Sequence, residues 1–458
     1  MLEHYKIAQG LSNRYAPSNQ TLSLHAKREQ FLSSSIIPSD TFAFSGIGAE
    51  ITTNNGLLLD LGSMTVNCIL GQNDPWVNAN IIAYTLSDQP SFLTTRIGGS
   101  LYYEVADRLL HLTGRTDGFI NHRQSNGSDT TELAIIAAYN NRLPEQTKLI
   151  SFKGSYHGQG LTASYSSHLQ TKHRFLVDND SPVIFLEQPN NASSMTNTTP
   201  LSDHDSAILD DVSRLASDAF AVIIEPIQVN SSVNMPSRAF MQTLNKICSE
   251  NGIALIFDEV QTGCGWLGSM TAAEQYGVKP SLFALSKALT AGYGPLSALI
   301  GDKKYKDLKE GSAAKTNGAD IRSLVAANAV MDRLFGVADE LIPKDAPEKL
   351  QVELRDGLLS KFDLLSSQLS AHLDNVASTY PNLVLDIKGE GLIRGIQFSH
   401  SKNNIEDVVH SLQERLLKNG VLVRHSKDTL IIKPPLVIET HQMDAAFEII
   451  INTMKEYA

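Results

Sequence analysis

A lysine can do covalent chemistry on a carbonyl group if its surroundings remove its proton and hold it in place. Lys287 is a candidate for that work. It lies in Ser286-Lys287-Ala288-Leu289, directly after the apolar run Leu282-Phe283-Ala284-Leu285. Upstream, Ala254-Leu255-Ile256-Phe257 forms a second apolar run and leads into Asp258. Two buried strands that end on an acid and an amine would set opposite charges at one edge of a parallel sheet. That edge, beyond the carboxyl ends of the strands, is where open α/β sheets bind ligands. An amine there can form a Schiff base with an aldehyde. A carboxylate there can pair with a protonated ring nitrogen.

The rest of the chain has to supply such a sheet. Short apolar runs at 148–152, 183–186, 220–225, 253–260, 282–285 and 296–300 read as strands, and helical periodicity at 102–112, 237–249 and 321–334 falls among them. Strands alternating with helices point to an α/β fold with a mostly parallel central sheet. Near the N-terminus, residues 48–60 read as a hairpin around Asn54-Asn55-Gly56. After about residue 335 the pattern changes. A polar helical stretch at 346–373 leads to strands at 384–387 and 393–398, a helix at 404–419, strands at 421–423 and 430–432, and a helix at 441–454. The expected division is an N-terminal arm and part of a small domain (1–60), a large α/β domain (61–335) and a small α+β domain (336–458).

Bulk properties exclude several classes. The 458 residues carry a net charge of −11, which disfavours binding to nucleic acid or to anionic lipid. No window has the roughly 18 uninterrupted apolar residues of a membrane span. Cys68, Cys248 and Cys264 are scattered, so neither a disulfide framework nor a metal-binding pair is expected, and no metal site is assigned. The start of the chain lacks the layout of a signal peptide, and the expected location is the cytoplasm.

Gly263-Cys264-Gly265-Trp266-Leu267-Gly268 matches a dinucleotide-binding fingerprint. That fold needs a ribose-binding acid about 20 residues further on. Residues 281–300 contain no Asp or Glu, and Lys287 sits among them instead. Pyridoxal 5'-phosphate fits better. It needs a lysine for its aldehyde, an acid at its ring nitrogen, a flat side chain on its ring, a phosphate cup and a partner for its ring hydroxyl. Lys287, Asp258, Tyr156, Gly127 with Ser128, and Gln261 are the candidates. The turn Ser125-Asn126-Gly127-Ser128 opens an Ala- and Leu-rich helix, whose first N–H groups can hold a phosphate. An ordinary capping box, Ser128 with Thr131 or Asp129 with Glu132, is the structural alternative.

In this order the motifs resemble the class III pyridoxal-phosphate-dependent aminotransferases of fold type I. The resemblance runs from about Gly48 to Glu456. It rests on Gly127-Ser128, Tyr156-His157-Gly158, Glu225-Pro226-Ile227-Gln228, Asp258-Glu259-Val260-Gln261-Thr262-Gly263, Ser286-Lys287-Ala288-Leu289 and Pro434-Pro435-Leu436. It implies that Lys287 carries the Schiff base, Asp258 binds the pyridine nitrogen, Gln261 reaches the ring hydroxyl and Tyr156 stacks on the ring. Gly127 and Ser128 hold the phosphate, and Glu225 braces the site. It further implies a homodimer in which Thr316 of one copy completes the phosphate cup of the other. The implied activity is transfer of an amino group from an amine or amino acid to a keto acid or aldehyde. A racemase or aminomutase outcome is the alternative.

Departures from that family bear on substrate choice. Ornithine and 4-aminobutyrate transaminases have a glutamate where this chain has Asn230, and an arginine where it has Ile431. Arg424, ten residues before Pro434, matches an arginine of the ω-amine transaminases that pairs with a substrate carboxylate. A guanidinium suits that task because its fork meets a carboxylate with two hydrogen bonds. Trp266 stands where relatives have arginine. Arg424, Trp266 and Asn230 are therefore the expected substrate-binding residues.

Overall fold

The computed structural model describes residues 8–9, 11–33, 40–173, 181–196, 200–308, 313, 315–399 and 404–457. In chain order the strands are β1 (Ala43–Ile47), β2 (Glu50–Thr53), β3 (Gly56–Asp60), β4 (Phe119–Gln124), β5 (Lys148–Phe152), β6 (Val183–Leu186), β7 (Ala219–Ile224), β8 (Ala254–Asp258), β9 (Leu282–Leu285), β10 (Ser297–Gly301), β11 (Val384–Glu390), β12 (Ile393–Phe398), β13 (Val421–Leu422), β14 (Arg424–Ser426) and β15 (Thr429–Ile432).

Seven of them make the central sheet, in the order β4-β10-β9-β8-β7-β5-β6. Neighbours from β9 to β6 are parallel, whereas β10 runs antiparallel to both β9 and β4. The mostly parallel sheet expected from the sequence is therefore present, with one reversed strand. Every residue of β7, β8, β9 and β10 is buried. Continuous apolar runs rather than alternating ones are the mark of strands covered on both faces. Helices Gly127–Asn140 and Arg238–Glu250 are among those that pack on this sheet.

The hairpin around Asn54-Asn55 forms as expected, with Thr53 opposite Gly56, and β1 extends it. Its last strand pairs in parallel with β13, so the first strands and the C-terminal segment share a sheet. A third sheet, β11-β12-β15-β14, carries Arg424 on its outer strand. The long polar helix expected at 346–373 is instead two helices, Glu348–Asp356 and Phe362–Thr379. Gly357, at φ +72°, turns the chain out of the helical region between them.

One local feature has no sequence signal. Ser63, Met64, Thr65 and Val66 all have positive φ, so four non-glycine residues form a left-handed turn. Each such residue costs about 1–2 kcal/mol. Asp60 holds the turn by accepting from the N–H of Gly62 at 2.9 Å and of Met64 at 3.0 Å.

Candidate active site

The carboxyl ends of β7, β8 and β9 open on one cavity of about 570 Å³. Gly127, Ser128, Tyr156, Glu225, Asp258, Gln261 and Lys287 all line it. Glu225 directly follows β7, Asp258 ends β8, and Lys287 comes two residues after β9. Parallel pairing of these strands is what brings residues far apart in sequence to one edge.

The helix Gly127–Asn140 starts at this edge. Its cap is Asn126, whose side chain accepts from the Asp129 N–H at 3.0 Å. Neither proposed capping box forms; Glu132 instead accepts from the N–H of Thr162 at 2.8 Å. The N–H groups of Gly127 and Ser128 find no acceptor among the described residues. They point free donors and the positive end of a helix dipole at the cavity. Two glycines shape this cup. A Cβ on Gly127 would come within 2.8 Å of Val260, and one on Gly158, at φ +121°, would overlap the Ser128 hydroxyl.

On the far side, Asp258 Oδ2 lies 2.8 Å from His157 Nδ1, with both side chains buried. The His157 main chain is pinned in turn, its N–H to Ser167 Oγ at 2.7 Å and its carbonyl accepting from Thr131 Oγ1 at 2.7 Å. A histidine so held fixes the orientation of the Asp258 carboxylate. Tyr156 donates its N–H to Glu225 Oε1 at 2.7 Å, and this sets where the phenol ring enters the cavity. Two buried polar atoms lack a protein partner here: Gln261 Oε1 and His157 Nε2. Unpaired buried polar atoms are rare in folded proteins.

Lys287 begins a short 3₁₀ turn with φ +42°, a conformation that strains a non-glycine residue. Burial, aided by the charge of Arg424, pulls its amine down to about 8, against the opposite influence of Asp258 and Glu225. At neutral pH much more of it is free base than of an exposed lysine. Burial pushes the Glu225 carboxyl well above its usual range, and the neighbouring charge of Asp258 adds to the effect.

The remaining expected residues lie elsewhere. Arg424 is half-buried on β14, and Gly62 and Tyr156 are near it. Its Nη2 stands 3.5 Å from Asn230 Oδ1, and among the described residues no carboxylate comes within ion-pair distance. Neither residue lines the 570 Å³ cavity. Thr316 lies on an exposed turn outside the cavity. That turn is tied to the start of the Gly127–Asn140 helix through Lys315, whose Nζ is 3.2 Å from Asp129 Oδ1. Trp266 does not reach the cavity. Its indole is fully buried, and the carbonyl of the same residue accepts from the N–H of Leu392 at 3.1 Å. The expected contact of Trp266 with substrate is therefore absent from this arrangement, because the ring packs inward beneath Lys433.

Some contributors were not expected. His157 was visible only as the middle of Tyr156-His157-Gly158. Met64, Asn67 and Cys68 line the cavity from the left-handed turn and its exit, where no glycine marks the bend. Lys433 is fully buried at the end of β15, although a lysine is ordinarily a surface residue.

Comparison with known proteins agrees with this geometry. The family model for aminotransferase class-III matches residues 41–454. An ornithine aminotransferase of Plasmodium yoelii yoelii is 32% identical over 51% of the chain and 51% of its own length. An acetylornithine aminotransferase of Agrobacterium fabrum is 28% identical over 64% and 65%. A putrescine aminotransferase of Pectobacterium atrosepticum is 30% identical over 49% and 44%. The matched stretch thus spans about half to two thirds of these relatives. Among solved structures, a Bacillus anthracis aminotransferase superposes with a TM-score of 0.79 at 21% identity, covering 96% of this chain and 99% of the other. The ornithine aminotransferase of Toxoplasma gondii gives 0.77 at 19%, covering 99% and 98%. At these identities the superpositions establish the fold.

Proposed function

Because the chain belongs to the class III aminotransferase family, we propose that it moves an amino group from an amine or amino acid donor to a keto acid or aldehyde acceptor. The cofactor of this reading is pyridoxal 5'-phosphate. The residues present fit that group: free amides at the helix start, an orphaned Gln261 Oε1, and a lysine and an aspartate facing one cavity. When bound, it supplies an aldehyde for amines and a ring that accepts electrons from the carbon bearing the amine.

Each residue then has a defined task. Gly127 and Ser128 hold the phosphate with their N–H groups. Asp258, oriented by His157, sits at the ring nitrogen and keeps its proton there. Tyr156 covers one face of the ring, Gln261 meets the ring hydroxyl, and Glu225 fixes Tyr156. Lys287 would bind the aldehyde and would move the proton at the substrate carbon; its lowered basicity suits both roles. Arg424 takes the substrate carboxylate. It is a half-buried cation without a carboxylate partner among the described residues, and the neutral Asn230 beside it offers no competing charge. The exposed Thr316 turn serves the phosphate cup of a second copy, in a cytoplasmic homodimer. The division into an arm with part of a small domain (1–60), a large domain (61–335) and a small domain (336–458) belongs to the same reading.

The observation that carries it is the convergence of Lys287, Asp258 and the Gly127–Ser128 amides on one cavity. Protein reconstituted with the cofactor and given an amine donor without acceptor should lose its visible band as pyridoxamine phosphate forms. A band that persists while the donor racemises would replace transfer with racemisation.

A further inference from the structure

Lys433 lies outside the cavity, yet it touches two of the segments that build it. Its N–H donates to the Leu61 carbonyl at 2.6 Å. Its own carbonyl accepts from Ser63 Oγ at 2.6 Å, at the first residue of the left-handed turn that carries Met64. Its Nζ donates to the main-chain carbonyl of Gln261 at 2.8 Å. It directly follows β15, which pairs with the strand bearing Arg424, Arg424 opposite Ile431.

The side chain is an unusual one to bury. It has no exposed surface, and no carboxylate lies within ion-pair distance among the described residues. What surrounds Nζ is the Gln261 carbonyl and, 4.3 Å away, the face of the Trp266 ring. Burial, together with the charges of Lys287 and Arg424, pushes its amine well below the usual lysine range. An apolar residue would fill the same space without that penalty. What an apolar residue could not supply is the hydrogen bond to Gln261.

Gln261 lies in the turn after β8, only three residues beyond Asp258. Its side chain faces the cavity with Oε1 unpaired, while its main chain is held from behind by Lys433. We propose that Lys433 is a positioning residue of the transfer reaction: it fixes the Gln261 main chain against the Ser63–Val66 turn and so sets where the Gln261 amide meets the ring hydroxyl of the cofactor. This inference rests on the functional reading above. A shift of about 1 Å in a group that orients a reacting molecule can lower a rate by about a hundredfold.

The test is a double-mutant cycle on cofactor affinity, with Lys433→Met, Gln261→Ala and the pair, read by equilibrium titration of the apoprotein with pyridoxal 5'-phosphate. Lys433→Met should weaken binding about tenfold in the natural background and less than about twofold when Gln261 is already alanine. The pH midpoint of the holoenzyme's visible band should shift in Lys433→Met, because the Gln261 Oε1 acceptor is withdrawn from the ring hydroxyl. An equal loss in both backgrounds would show a structural role unrelated to Gln261 and overturn the proposal. So would unchanged affinity and midpoint. If Lys433→Met does not fold, Ser63→Ala loosens the same residue from its other side. It should weaken binding about threefold, again only while Gln261 is present, and no effect overturns the proposal. Natural protein that takes up no cofactor overturns the functional reading and this inference with it. Natural protein that binds while Lys433→Met binds equally well overturns the inference alone.

Discussion

The two ends of the site are built differently. At the cofactor end, Glu225, Asp258 and Lys287 come from the tips of adjacent buried strands, and Gly127 and Ser128 from a helix start beside them. Their positions follow from sheet pairing, which has little freedom once the strands are buried on both faces. At the substrate end, Arg424, Asn230 and Met64 come from a short outer strand, a loop and a strained turn. Arg424 and Asn230 meet across the seam between the central sheet and the C-terminal sheet. The first arrangement suits a fixed task, holding one cofactor. The second can be changed residue by residue without disturbing the sheet, and it is where substrate preference can diverge.

The contrast can be broken experimentally. Replacing Lys287 by Ala should lower kcat by more than about a thousandfold, since both carbonyl binding and proton transfer are lost. Undiminished turnover would remove Lys287 from the chemistry. Replacing Arg424 by Ala should raise KM for a carboxylate-bearing keto acid about 10- to 100-fold, or ~1.4–2.8 kcal/mol, with little change for a neutral amine. Steady-state kinetics with both substrate types decide it, and equal effects would take Arg424 out of the substrate site.

A gentler change sharpens the same point. Asn230→Glu places a carboxylate beside Arg424, whose Nη2 now stands 3.5 Å from Asn230 Oδ1, and should raise KM for the keto acid about tenfold by competition. Unchanged KM would mean that Arg424 is not held near residue 230 in solution. The smallest effect links the two ends. The rate at which apoprotein takes up the cofactor should rise with pH with a midpoint near 8 and level off only above it, because only the deprotonated Lys287 amine attacks. Arg424 depresses that value, so in Arg424→Ala the midpoint should move upward by a fraction of a unit. A midpoint that stays in place would separate the two regions electrostatically.

How far the sequence revealed these features depended on burial. The runs at β7, β8 and β9 are continuously apolar and were recognisable as interior strands, which also placed Asp258 and Lys287. β4 was not recognisable. Its sequence Phe119-Ile120-Asn121-His122-Arg123-Gln124 is mostly polar, yet His122, Arg123 and Gln124 are buried. Gln124 is held by a contact far along the chain, its Nε2 donating to the Ala313 carbonyl at 2.7 Å, that no local pattern announces. Trp266 misled for the opposite reason. A departure from the relatives suggested a substrate contact, but a large ring next to a buried amine can equally be interior packing.

The sequence by itself determined the order of motifs, the strands that end on Asp258 and before Lys287, and the helix start at Gly127. Each is a local matter of hydrophobic run length, cap residues and spacing. Only the tertiary structure decided that His157 stands behind Asp258, that Arg424 meets Asn230, and that Lys433 reaches Gln261. Those relations join residues 101, 194 and 172 positions apart. The first joins two strand ends of the central sheet, the other two arise where separate sheets pack together, and the geometry of that packing is set by the whole core.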